Sequence, residues 1–135
     1  MGTFGILDTS SSGLHVYRKW LDAVGDNIAN VNTVKPTDQE AFKARYVVAQ
    51  SVEGGEDGIG QGAKIAEIQF GSGEGRLVHE PNNPLADENG YVRYPDIDMS
   101  EQMTHLIMAQ RGYQANLSVI ERARDAYQSA LQLGK

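Results

Sequence analysis

The sequence predicts a mainly α-helical chain with a small β insert, an α+β fold whose terminal helices pack as a coiled-coil-like pair. Three observations support this prediction. The first two are apolar stripes with helical spacing, one near each end of the 135-residue chain. The third is the placement of helix-breaking residues, because all 4 prolines and 9 of the 15 glycines lie between Pro36 and Asp98. Helices at the ends with an unhelical middle are more typical of an assembly protein than of an enzyme.

The N-terminal stripe predicts the first helix. Its apolar and aromatic residues follow a 3-4-3-4-3 spacing, which places them on one helical face: Leu14, Tyr17, Leu21, Val24, Ile28 and Val31. The cluster Thr9–Ser12 offers several N-cap residues, so we expect the helix to run from about there to Asn30. Asparagine is common at helix ends, and Pro36 disfavours helix at the residue before it.

The middle of the chain, residues 37–96, predicts short strands and turns. Ala41–Val52 is rich in β-formers, although a helix over Gln39–Gln50 remains an alternative. Alternating apolar residues predict a strand over Ala63–Phe70. Shorter strands are expected at Arg76–Val78 and at Tyr91–Tyr94, the latter after a turn in which Asn89 and Gly90 supply positive φ.

The C-terminal stripe predicts a longer helix. Asp98–Glu101 has the form of a capping box, and Gly134 marks a stop after Leu133. Gly112 sits inside this helix at a cost of about 1 kcal/mol relative to alanine, so we expect another backbone to come close there. The stripe keeps the 3-4 alternation at Leu106, Ala109, Tyr113, Asn116, Ile120, Ala123, Tyr127 and Ala130.

These patterns predict a helical core domain from residues 1–35 and 97–135, and a β/loop insert over residues 36–96. The stripes fit either an intramolecular hairpin or packing between subunits. A first helix of about 20 residues leaves much of a 35-residue partner uncovered, which favours contacts between subunits. The residues expected at the assembly interface are Leu14, Tyr17, Leu21, Val24, Ile28, Leu106, Ala109, Tyr113, Ile120 and Tyr127.

Charge and composition exclude several classes of partner. The net charge is −6, and residues 36–98 hold 12 acidic and 5 basic side chains, which argues against nucleic acid binding. No stretch approaches the roughly 20 apolar residues of a membrane span. The N-terminus has no basic region followed by an apolar run, so we expect no cleaved signal peptide.

No group of residues predicts catalysis, a cofactor or a metal site. The chain has no cysteine, and its three histidines lack ligand-like spacing. Gly71–Gly75 lacks the Lys-Ser/Thr of a phosphate loop, and Asp87–Gly90 lacks the remaining ligands of a calcium loop. We therefore expect no enzymatic activity, no cofactor, no metal and no small-molecule substrate.

Three segments resemble the flagellar axial proteins, the family of rod, hook and hook-associated proteins. Asp26–Thr33 resembles the family's N-terminal signature, Arg111–Asn116 its C-terminal helix motif, and His79–Pro95 a segment of proximal rod members. Val34–Phe42 departs from the family's usual glycine-containing version, which leaves the contacts of that segment open. The motif residues are Asn27, Ala29, Asn30, Asn32, Thr33, Gly90, Tyr91, Arg93, Tyr94, Pro95, Tyr113, Ala115 and Asn116.

The resemblance implies a structural subunit of the bacterial flagellar proximal rod. Such a subunit is exported uncleaved through the flagellar type III apparatus and polymerises in the periplasm, within the basal body. Its terminal helices would form the inner tube of a drive shaft and export channel, with the insert facing outward. The implied partners are other rod proteins, the junction protein between rod and membrane ring, and the export apparatus. The alternatives are another rod protein of the family and a soluble coiled-coil adaptor.

Overall fold

The computed structural model describes residues 3–54 and 58–134 and has a long helix at each end. The elements in chain order are α1 (Thr3–Asn30), β1 (Arg45–Ser51), β2 (Ala63–Phe70), β3 (Arg76–His79), β4 (Tyr91–Tyr94) and α2 (Met99–Leu133). Strand β1 pairs with β2, and β3 pairs antiparallel with β4. The predicted fold class, mainly α with a small β insert, is confirmed.

Helix α1 begins before the predicted N-cap cluster. The helix starts at Thr3, so the prediction of a start near Thr9 was wrong. The Ser12 hydroxyl donates to the Thr9 carbonyl over 2.7 Å and accepts from the Ala63 N–H over 3.0 Å. Serine is a poor helix former because its hydroxyl competes for backbone groups. Here the hydroxyl bonds back within the helix and also holds the first residue of β2.

The strands of the insert follow the sequence closely. The segment Arg45–Ser51 is strand, which removes the helical alternative for that region, and β2 has the predicted bounds. The acidic run after Val52 is described only in part, because residues 55–57 lie outside the described residues. Gly90 has a φ of +83° in the turn before β4, as predicted, whereas none of the described non-glycine residues, Asn89 included, has a positive φ.

Helix α2 begins and ends where its caps predict. The Asp98 carboxylate accepts from the Ser100 N–H over 2.9 Å, and the Asp98 carbonyl accepts from the Gln102 N–H. At the other end, the Gly134 N–H donates to the Ala130 carbonyl over 3.2 Å. The 35 residues of α2 span about 50 Å, since each residue adds about 1.5 Å.

The chain folds into two compact units, and each contains part of both helices. Unit 1 comprises Met1–Leu21, Val47–Glu67 and Ile107–Lys135; unit 2 comprises Asp22–Tyr46 and Ile68–Leu106. The division expected from the sequence, a helical core domain with an outward insert, concerns the assembled polymer and stays a prediction.

A buried amide holds three elements of unit 2 together. Asn27, on α1, is 1% exposed, and so is Gln102, on α2. The Asn27 side chain accepts from the Arg45 N–H over 2.8 Å and donates to the Arg45 carbonyl over 2.9 Å, as a neighbouring strand would at the start of β1. It also donates to the Gln102 side-chain oxygen over 3.0 Å. We call these three hydrogen bonds the Asn27 bridge.

The β3–β4 hairpin is tied to the segment after α1. The Arg93 backbone exchanges two hydrogen bonds with Lys35, of 2.8 and 2.9 Å. Its guanidinium donates to the Thr37 carbonyl over 2.8 Å and also to the Glu74 carbonyl. Val92, beside it on β4, is fully buried. Arg93 therefore joins β4 to two chain segments through its backbone and its side chain together.

Two carboxylates order the loop between β3 and β4. Asp87 accepts from the N–H groups of Asn89 and Tyr91 and from the Thr37 hydroxyl, at 2.9, 2.9 and 3.0 Å. Hydrogen bonds, that from the Tyr91 backbone foremost, lower the pKa of Asp87. Those from the Asn83 amide and then the Tyr94 hydroxyl lower the pKa of Glu80. Both shifts show that the folded loop favours the ionised form.

We expect Asn27→Ala to destabilise the chain by about 2–3 kcal/mol. The substitution leaves the buried Gln102 side-chain oxygen without its partner, which costs about 1–3 kcal/mol. It also removes two hydrogen bonds to the part-buried Arg45 backbone, which water can replace at a smaller cost. Urea unfolding measures the change. The control is Asn32→Ala, at an exposed asparagine, which should change the free energy of unfolding by less than about 0.5 kcal/mol. Equal effects at both positions would contradict the role of the bridge.

We expect the hairpin to lose stability as pH falls below about 4. The pKa values of Glu80 and Asp87 are lowered in the folded protein. Both carboxylates therefore add to the free energy of unfolding above their ordinary pKa values, and this stabilisation is lost as pH falls through the lowered pKa values. Asp87→Asn should therefore lower the urea midpoint at pH 6, and this difference should shrink as pH falls through the lowered pKa of Asp87. The neighbouring Glu88→Gln is the control and should show no such pH-dependent difference. A constant Asp87→Asn effect across this range would contradict the assignment.

Candidate assembly surface

The two helices approach closely in unit 1 because each carries a glycine opposite a side chain of the other. A Cβ added to Gly13 would lie 2.9 Å from the Asn116 side-chain oxygen. A Cβ added to Gly112 would collide with the Tyr17 ring. The order of these pairs along the chain makes the helices antiparallel here. The sequence predicted a close backbone at Gly112; the neighbour is instead the ring of Tyr17.

The predicted interface residues lie mainly where each helix faces the rest of its own unit. Two of them, Val24 and Ala109, are buried, at 2% and 0% exposure. Tyr127 is 41% exposed. The remaining residues are half-buried: Leu14, Tyr17, Leu21, Ile28, Leu106, Tyr113 and Ile120. The structure thus places most of this stripe within one chain, and its role between subunits stays a prediction.

The asparagine-rich motif at the end of α1 divides into three roles. Asn27 forms the bridge rather than closing the end of the helix. Asn30 has that role, because its side chain donates to the Asp26 carbonyl over 2.8 Å and accepts from the Thr33 hydroxyl over 3.1 Å. Ala29 and Asn32 are exposed. Most of this motif therefore builds the fold, and two of its positions face solvent.

The hairpin motif is also largely structural. The Tyr94 hydroxyl donates to the Glu80 carboxylate over 2.8 Å, and that bond raises the pKa of Tyr94. Pro95 is buried, while the exposed ring of Tyr91 meets His79 edge-on with the centroids 5.0 Å apart. In the α2 motif, the Asn116 amide donates to the Gly112 carbonyl over 3.0 Å, and Ala115 is exposed.

The most exposed apolar surface lies on α2, largely off the predicted stripe. In the unit 1 part of α2, seven large apolar side chains are 39–89% exposed: Ile107, Met108, Leu117, Val119, Tyr127, Leu131 and Leu133. We call this set the outer α2 surface. Of these residues only Tyr127 belongs to the predicted stripe, because a single-stripe template assigns every other direction of the helix to solvent.

The buried core is correspondingly small. Apart from Pro95, the buried apolar side chains among the described residues are four alanines and three valines: Ala23, Ala41, Ala44, Ala109, Val16, Val24 and Val92. Larger apolar residues usually fill a protein interior. Here the larger ones remain half-buried or exposed, which is a pattern expected of a chain that buries them against neighbours.

Clusters of metal-ligating side chains and membrane-spanning helices are both absent from the described residues. They contain no group of three or more His, Asp or Glu side chains placed to hold a metal ion. None of the helices in the described ranges combines the length and the apolar character needed to span a membrane.

Comparison with known proteins identifies the family. Residues 88–133 match the family described as flagellar basal body rod FlgEFG protein C-terminal. The flagellar basal-body rod protein FlgC of Salmonella typhimurium is 34% identical over 135 residues, and that of Yersinia enterocolitica is 35% identical over 137. The FlgC protein of Bacillus subtilis is 27% identical over 150 residues. Each alignment covers the whole of both chains.

These matches confirm the resemblance drawn from three segments of the sequence, and they cover the whole chain. They exclude a coiled-coil adaptor unrelated to flagella. They also place the protein in the flagellar basal body, in a family of structural rod proteins. The chain belongs to the FlgC family of flagellar basal-body rod proteins.

Proposed function

We propose that this chain polymerises in the proximal rod through its two terminal helices, which line the drive shaft and its export channel. The observation that carries the proposal is the outer α2 surface. Seven large apolar side chains exposed on one helix are costly in an isolated subunit, because burying each is worth about 1.5–3 kcal/mol. Packing against neighbouring subunits would recover that free energy.

The side chains of the outer α2 surface point to two sides of the helix, which favours contacts with more than one neighbouring subunit. Successive helical residues are turned by about 100°, so Leu117 and Val119 lie on opposite flanks of the line through Ala109 and Tyr113. That line faces the close approach to α1 at Gly112 and Asn116. A helix exposed on both flanks suits a tube wall, in which it has a neighbour on each side. A single dimer partner would cover only one flank.

The proposal extends to location and partners. Rod assembly in the periplasm requires export of the chain through the flagellar apparatus. The contacts then lie with further rod proteins and with the protein that joins the rod to the membrane ring. The acidic insert, with 12 acidic and 5 basic side chains over residues 36–98, suits the solvent side of such a tube.

We expect Leu117→Asp and Val119→Asp each to block rod assembly without unfolding the subunit. Both side chains are about two-fifths exposed in the single chain, so a carboxylate remains hydrated there. In an apolar interface the same carboxylate loses its water without gaining a partner. The test is motility of bacteria that lack the native gene, together with circular dichroism of the purified chain.

The matched control is Ser118→Asp. Ser118 lies between the two positions on the polar side of α2 and is exposed. This variant should keep motility. Full motility of both Leu117→Asp and Val119→Asp would overturn the proposal, and so would loss of helix content in the purified variants.

A further inference from the structure

One flank of α2 in unit 1 combines two arginines with exposed apolar side chains. Positions 108, 111, 115, 119 and 122 fall within an arc of about 80°, because successive helical residues are turned by about 100°. Two of these side chains belong to the outer α2 surface, and the other three are exposed as well. We call this set the arginine flank: Met108, Arg111, Ala115, Val119 and Arg122.

The two arginines of this flank are free to bind an acidic partner. Within the part of the chain that the structure describes, neither Arg111 nor Arg122 forms an ion pair. Asp125, three residues after Arg122, pairs with Arg124 instead, over 3.4 Å. Ala115 lies between the arginines around the helix, and its small side chain lets a partner come close. The flank therefore suits an occupant that carries carboxylates next to apolar side chains.

The hairpin of β3 and β4, in unit 2, has that composition. Residues 77–91 contain three acidic residues, of which Glu88 is exposed, and neither lysine nor arginine. Their register pairs Leu77 with Arg93 and His79 with Tyr91, so Leu77 and Tyr91 lie on one face of the hairpin. Three large apolar side chains are 39–55% exposed: Leu77, Leu85 and Tyr91. We call residues 77–91 the acidic hairpin.

The other two carboxylates of the acidic hairpin are ionised and held in place. Glu80 and Asp87 accept hydrogen bonds from uncharged groups, the Asn83 amide and the Tyr91 N–H foremost, which lower the pKa of each. Neither carboxylate pairs with a cation of the described residues. The Glu80 N–H also donates to the Gly90 carbonyl over 2.8 Å, across the base of the loop. A loop ordered in this way loses little conformational freedom on binding.

We propose that the arginine flank of one copy binds the acidic hairpin of a second copy. Arg111 and Arg122 meet the carboxylates, and Met108 and Val119 pack against the exposed apolar side chains of the hairpin. A helix flank and a hairpin are different surfaces, so the contact is head-to-tail, and repeated contacts of this kind can build a helical array. This inference rests on the proposed rod function, because it names what covers one flank of the outer α2 surface.

Disulfide trapping tests the contact in assembled rods. The chain has no cysteine, and Ala115→Cys with Asn89→Cys puts one thiol in each surface without removing a charge. Both positions are exposed. Basal bodies from motile cells that carry this double variant are oxidised, and we expect a ladder of dimers and longer species on non-reducing gels. Each single variant should remain monomeric.

The matched control for trapping is Gln128→Cys with Asn89→Cys. Gln128 is exposed, but it points to the opposite side of α2 from Ala115, about 140° away around the helix. The control should give no ladder. A ladder of equal strength from the control would overturn the contact, because the disulfides would then not report which side of α2 is covered.

The outcomes separate this contact from the rod function itself. Motile cells whose basal bodies give no ladder from the Ala115→Cys and Asn89→Cys variant would overturn the contact and leave the rod function intact. A disulfide from the Ala115→Cys chain to a basal-body protein of another mass would assign the flank to a different neighbour and also overturn the contact. Absence of the wild-type chain from basal bodies would contradict the rod function.

Charge exchange tests the same contact through motility. We expect Arg111→Glu and Glu88→Arg each to reduce the swimming ring by about half, because each places like charges together. The two substitutions in one chain should restore it. The control pair is Arg124→Glu with Glu88→Arg, since Arg124 lies on the opposite side of α2 from Ala115, and it should stay impaired. Full motility of both single variants, or no restoration by the double variant, would overturn the proposal.

Discussion

The Asn27 bridge is the constraint on which unit 2 depends. Its amide saturates both backbone groups of Arg45 and the side-chain oxygen of Gln102, so one residue fixes the end of α1, the start of β1 and the start of α2. Such an amide is hard to replace, because an apolar side chain of the same size would leave those groups unpaired in a buried site. The bridge acts through geometry as much as through energy, since it holds one edge of β1 at the helix.

The rest of the architecture follows from how little the chain buries. Its helices come together over glycines, as at Gly13 and Gly112, and its buried apolar side chains, apart from Pro95, are alanines and valines. Small residues allow close approach but bury little area, so they contribute modestly to stability. The larger apolar residues stay near the surface, most of all on α2. Contacts with neighbouring subunits would add the apolar burial that the single chain lacks, as the proposed polymerisation requires.

Sequence patterns predicted the elements whose signals are local. The bounds of β2 and β4 follow from alternation and flanking turns, and the ends of α2 follow from Asp98 and Gly134. The start of α1 was not predictable, because a hydrogen bond from β2 to Ser12 makes serine acceptable within a helix. No local signal distinguishes Asn27 from the other asparagines of its motif.

The assembly surface was only partly predictable for a related reason. Periodicity identifies the face of a helix that is most apolar, and for α2 that face lies largely against its own chain. The flanking residues Leu117 and Val119 belong to no stripe. They can be recognised as interface candidates only once the folded subunit shows that α1 leaves them uncovered.

Amide hydrogen exchange, compared between the free subunit and assembled rods, measures whether α2 gains protection from neighbouring subunits. In the free subunit we expect α2 to be protected around Gly112 and Asn116, where it packs on α1. We expect weak protection over residues 121–134, where almost every side chain is exposed, and strong protection there once rods form. Equal protection along the whole of α2 in a monodisperse free subunit would contradict assembly through α2, because no part of the helix would then depend on a neighbour.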